Sequence, residues 1–266
     1  MTDFLSYGFV QRALVTGTLL GVSCAVLSFF VVLRRMAFVG VGLSHTALGG
    51  VAIGVVFGVP PLLAAAIFTT GVAWVIGWIG GRTGVSEDTA IGVFFPAAMA
   101  LGIVLISLSP EYRQDLMGYL FGNILSVGPE DVLPIASVSL LGLGVIAFYF
   151  KELLFVGVDL EAARAAGLPV TGLRLLLLTV LAVTIVAAVR LVGIVLVSAF
   201  LVIPAATGQA VARSLSGMLG IAVGSAVFSV VTGLWLSWMW DLPSGAAIVL
   251  VAAGLFFGAL AFGRSH

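Results

Sequence analysis

The sequence predicts an all-α fold: a polytopic bundle of transmembrane helices with about nine spans. Three observations predict it. Of the 266 residues, 62% are hydrophobic and only 8% are charged, where a soluble domain carries about 25% charged residues. The apolar residues fall in continuous runs of helical-span length rather than alternating with polar ones, so closed barrels are excluded and helices remain. The single cysteine, Cys24, leaves no disulfide framework and no cysteine-rich metal site. Eleven basic residues balance eleven acidic ones, so there is no excess positive field for nucleic acid.

Residues 13–33 form the first span, which ends at Arg34 and Arg35. Residues 36–81 contain no formal charge and hold two spans, broken at Val59, Pro60 and Pro61. After a polar loop over 82–88, residues 89–108 make the fourth span, and residues 132–150 make the fifth. The sixth covers 171–189, with Arg174 near enough to its end to snorkel. A break at Arg190 then separates it from a seventh span over 191–212. If that break is only a kink, the two merge and the total is eight. Residues 215–240 and 242–263 complete the bundle.

An odd number of spans puts the termini on opposite sides. With the N-terminus outside, the cytoplasmic side collects Arg34, Arg35, Arg82, Lys151, Arg164, Arg174, Arg213 and Arg264, against Arg12, Arg113 and Arg190 outside. The positive-inside rule therefore places the C-terminus in the cytoplasm. Glu111, Asp115, Glu130, Asp131 and Asp241 then fall on the outer side and make its mouth mildly negative. The N-terminus is not a cleavable signal, because no basic region precedes its long apolar run. The loops are too short for a soluble domain, so residues 1–266 are one transmembrane unit, a bundle plus connectors.

Lys151 is the only lysine, and it follows Phe150 rather than glycine. A P-loop is therefore absent, and this chain is not itself a nucleotide-hydrolysing enzyme. No metalloprotease or nucleophile-elbow motif is present either. Glycines four residues apart, such as Gly17 and Gly21 or Gly50, Gly54 and Gly58, suit close helix packing in lipid.

Three segments do more than cross the membrane. Residues 34–50 place a lone histidine, His45, beside Ser44 just inside a span. An intramembrane imidazole is either a buried group bonded to a carbonyl or a ligand on an ion pathway. Residues 151–169 hold a short capped helix. Asp159 is its N-cap, Glu161 lies in its first turn, Gly167 closes it and Pro169 stops it. Residues 109–131 are apolar but interrupted, which fits a re-entrant or interfacial helix, or a loop packed over the bundle.

These segments, in this order, resemble the membrane permease of metal-ion ABC transporters of the ABC-3 class. The matching stretches are residues 32–50, 87–92, 120–131, 159–170, 192–207, with the helix break at Pro204, and 242–246. The resemblance implies a permease that translocates a divalent zinc, manganese or iron ion across the cytoplasmic membrane. It implies a second permease copy, two copies of a cytoplasmic ABC ATPase and an extracytoplasmic metal-binding protein. It also implies that Asp159, Leu160, Glu161, Ala162, Ala163, Arg164 and Gly167 form the ATPase coupling helix within 159–168. His45, with Ser44 and Asp115, would mark the metal route. No cofactor is tightly bound, and the metal is cargo. One departure stands out: family members commonly carry an aspartate after the glycine where Gly40 is followed by Val41. Two alternatives compete: a permease for iron-siderophore or cobalamin chelates, and a gradient-driven secondary transporter. The short chain argues against the first, and the lack of mid-span Asp, Glu or Lys argues against the second.

Overall fold

The computed structural model describes residues 6–82, 85–107 and 124–262, which contain helices and turns but no strand. The helices are α1 (Gly8–Leu33), α2 (Phe38–Phe57), α3 (Pro61–Arg82) and α4 (Glu87–Ser107). A 3-10 turn at Ile124–Ser126 leads to α5 (Pro129–Phe148), α6 (Phe150–Val158) and α7 (Leu160–Ala165). The chain ends with α8 (Val170–Phe200), α9 (Ile203–Val211), α10 (Leu215–Trp240) and α11 (Ser244–Phe262). Among the described residues, 9 segments are long and apolar enough to span a bilayer.

Side-chain contacts fix which helix ends lie together. Phe150 stands against Phe29 and Phe30 near the end of α1, with ring centroids 6.2 and 5.5 Å apart. Arg174, in the first turns of α8, reaches the Gly77 carbonyl near the end of α3. It also pairs with Glu87, the first residue of α4. One end of the bundle therefore gathers Arg34, Arg35, Lys151, Arg164, Arg174 and Arg213, and we call it the basic end. The N-terminal turn of α1 lies at the opposite end, where Arg12 Nε donates to the Val127 carbonyl at 3.1 Å. α10 leaves the basic end and α11 returns to it, so the start of α1 and the end of α11 lie at opposite ends of the bundle, as nine crossings require.

The expected break between the second and third spans is present: Gly58 ends α2 in the left-handed region at φ 66°, and Pro61 opens α3. The expected break at Arg190 is not. α8 runs through that position, and its helical geometry fails instead at Gly193, with φ 77° and ψ 163°. Only glycine adopts that backbone without strain, whereas a charged residue does not itself stop a helix. Past Gly193 the chain turns back. Leu201 meets Gly40, and Ser28, only five residues from the end of α1, accepts a hydrogen bond from Ala205 N–H. The seventh span is thus a reversed pair of short helices, 194–200 and α9, interrupted at Leu201 and Val202. Pro204 opens α9, where its missing N–H leaves no intrahelical bond unmade.

The core is built on α1, α2 and α8, with Phe29, Phe30, Leu177, Leu178, Leu181 and Ile185 fully buried. Backbone approaches too close for a β-carbon tie α2 to its neighbours. A Cβ at Gly50 would lie 2.5 Å from Ala65 Cα, and one at Gly49 would lie 2.7 Å from the Ala98 carbonyl oxygen. Small residues there let van der Waals contact replace the hydrophobic drive that lipid withholds. The outward faces of α4 and α5 expose large apolar side chains, including Val93, Leu133, Leu141 and Phe148.

Candidate functional site

The first candidate region is the seam between α2 and α4. Gly42 meets Ile91, His45 meets Phe95 with ring centroids 4.8 Å apart, and Gly49 meets Ala98. The imidazole is half-buried. Its Nδ1 lies 2.9 Å from the Val41 carbonyl oxygen. A carbonyl only accepts, so in the neutral ring Nδ1 carries the proton and Nε2 keeps its lone pair. That is the tautomer of a metal-ligating histidine oriented by a backbone carbonyl. Val41 supplies this carbonyl from its main chain. Ser44 is fully buried, and its hydroxyl donates to Gly40 O at 2.6 Å. The two neighbours thus have separate attachments. Asp115 and Glu111 lie outside the described residues. Among the described residues no group of three or more His, Cys, Asp or Glu converges to hold a metal.

The second region is the basic end. Asp159 Oδ1 accepts the Ala162 N–H at 2.9 Å and caps α7. At the other end Gly167, at φ 79°, and Leu168 donate to the Arg164 and Ala163 carbonyls at 3.0 and 3.1 Å. That double closure satisfies the last carbonyls of a helix six residues long. Ala163 is its buried anchor, Leu160 and Ala162 are half-buried, and Glu161, Arg164 and Gly167 are exposed. A small-residue surface bounded by charges therefore projects from the bundle.

Beside it opens a cavity of about 780 Å³ lined by Arg34, Arg35, Glu87, Asp88, Arg174 and Leu160, among others. Arg174 Nε pairs with Glu87 Oε1 at 3.0 Å, and both side chains are largely buried. Sequence reasoning has Arg174 snorkelling, but it is a paired charge that ties α8 to α4 and, through Gly77 O, to α3. The signal was available: a cation inside a span needs a partner, and Glu87 and Asp88 open the neighbouring run. Burial lowers the pKa of Arg34 and the Glu87 carboxylate opposes that shift, so one acid serves two arginines.

The expected outer acids lie at the opposite end. Asp131 Oδ2 accepts the Gly128 N–H at 3.1 Å at the start of α5, and Glu130 is exposed beside it. Asp241 closes α10 in the left-handed region at φ 51°. All three hold helix-terminal positions.

The ABC 3 transport family matches residues 6–263 of the chain. Manganese transport system membrane protein MntC of Listeria innocua is 38% identical over 262 residues, covering 98% of this chain and 93% of that protein. High-affinity zinc uptake system membrane protein ZnuB of Haemophilus influenzae is 35% identical over 244 residues, covering 92% and 94%. Among solved structures, PsaBC from Streptococcus pneumoniae in complex with Fab superposes with a TM-score of 0.87 at 32% identity, covering 99% of this chain and 96% of that one. With its helical membrane bundle and matches across nearly the whole length, the chain belongs to the ABC 3 transport family as a multi-pass membrane permease.

Proposed function

We propose that this chain is the permease subunit of an ABC importer for a divalent transition metal ion, zinc, manganese or iron. ATP is hydrolysed by a separate cytoplasmic subunit, bound in two copies to a permease homodimer, and an extracytoplasmic protein delivers the metal. The observation that carries this reading is α7: a helix closed by side-chain and backbone caps at both ends and held out from the basic end. Its projecting face is small enough to seat in a groove of a partner. The basic end is cytoplasmic by the positive-inside rule, so the N-terminus is outside, and Glu130, Asp131 and Asp241 face the incoming cation.

ATP-driven closure of the partner moves α7 and thereby shifts the bundle between two states. His45 offers the passing ion one neutral nitrogen, Nε2, and one weak ligand suits a route that must release its cargo. The relatives above are named for manganese transport and zinc uptake, which supports the cargo class and leaves the choice among metals to experiment. The test is counted uptake. Proteoliposomes holding the chain, its ATPase and its binding protein are expected to accumulate one of the three metals when ATP is supplied. Equal, ATP-independent entry of all three would overturn the reading.

A further inference from the structure

The mechanism above uses α7 and His45 but leaves unexplained what holds the broken seventh span in place. A chain that reverses at Gly193 and breaks again at Leu201 and Val202 frees backbone donors and acceptors inside the membrane, where none can turn to water. One side chain meets the break and the helix that follows it. Ser28 of α1 is fully buried. Its Oγ accepts the Ala205 N–H at 3.2 Å and donates to the Val202 carbonyl at 3.4 Å. Its partners lie 174 and 177 residues away, so this is no local helix bond of the kind Ser23 makes to Leu19.

The pinned segment also reaches the metal route. Leu201, at the break, packs on Gly40 so closely that a Cβ there would lie 2.9 Å from it. Gly40 is five residues before His45 on α2. On its other side α9 is locked to α10: a Cβ at Gly208 would lie 2.4 Å from the Met218 carbonyl oxygen. The break is thus the joint between a segment packed tightly on α10 and a leucine that presses on the histidine helix.

We propose that Ser28 is a positioning residue for transport: its hydroxyl pins the break in the seventh span and so sets where Leu201 holds α2 and His45. This rests on the transport reading, and the test separates the two. The full chain with its ATPase and its binding protein is reconstituted as wild type, Ser28→Ala and Ser28→Thr. Hydrogen exchange is followed at the Ala205 amide, and ATP-driven metal uptake is measured against metal concentration. In Ser28→Ala the Ala205 amide is expected to exchange about tenfold faster, the worth of one buried hydrogen bond. Maximal uptake is expected to fall roughly tenfold at an unchanged half-saturating metal concentration. Ser28→Thr, which keeps the hydroxyl, is expected to restore both. Wild-type exchange in Ser28→Ala would overturn the pin. So would faster exchange with unaltered uptake, or a threonine variant as impaired as the alanine one. If the wild-type complex moves no metal, the transport reading fails, while the exchange result still decides whether Ser28 holds the break.

Discussion

Two short helices lie at or near the basic end, and they are specified in opposite ways. Every feature of α7 is set within a few residues: Asp159 bonds Ala162, Gly167 supplies the left-handed turn, and Pro169 forbids continuation. α9 is held from a distance. Its Ala205 is bonded to Ser28, its Gly208 abuts Met218, and the residue two before its start, Leu201, is set against Gly40. Glu161, Arg164 and Ala165 of α7 are exposed, whereas Pro204, Ala205, Thr207 and Gly208 of α9 are buried. A locally built knob keeps its shape whatever the bundle does, which is what a lever needs. A break held by tertiary contacts takes its geometry from them and changes when they change, which is what a gate needs.

The comparison breaks most sharply at α7 itself. Ala162→Arg should lower ATP-driven uptake roughly a hundredfold, because an unpaired charge pressed into a contact costs about 3 kcal/mol. The bundle should still fold and melt within about 4 °C of wild type, the cost of a large side chain at a half-buried position. Uptake in proteoliposomes and a thermal melt check the two halves. At the other device, Gly193→Val forces a side chain into a backbone that only glycine tolerates. It should cost about 2 kcal/mol of stability, read by chemical denaturation, while the partner ATPase still binds.

His45→Ala sharpens the comparison on the pathway side. It removes the Nε2 ligand, and counted metal uptake should fall about tenfold with ATPase binding unaltered. The smallest effect belongs to the cap: Asp159→Ala leaves the Ala162 N–H unmet for about 1 kcal/mol. Uptake should drop only a few-fold, measured beside Ala162→Arg.

The same contrast explains what was legible in the sequence. Spans, caps and the Gly58–Pro61 turn rest on composition and local spacing, and they emerge from the residues alone. The short helix at 160–165 was readable down to its closing glycine. The reversal was misplaced to Arg190 because charge is a conspicuous interruption in an apolar run, while one glycine among 34 carries no local mark of its φ of 77°. Glu87 and Arg174 stood in plain sight as charges at span ends. Only the packing of α4 against α2 and α3, and of α3 against α8, makes them a pair. Ser28 was invisible for the same reason: a serine in an apolar span ordinarily bonds its own helix, and nothing nearby announces a break so far along the chain. For His45 the sequence left a carbonyl-bonded group and a pathway ligand open. The Nδ1 contact with Val41 O shows the first, and it leaves Nε2 unengaged by that bond for the second to be tested.

The most direct test of the central claim, that α7 couples this bundle to a separate motor, is metal flux through liposomes containing the chain and its binding protein, with and without the ATPase. The account predicts metal accumulation only when ATPase and ATP are both present, lost again in Ala162→Arg. Metal running down its gradient at the full rate through the chain alone would contradict it.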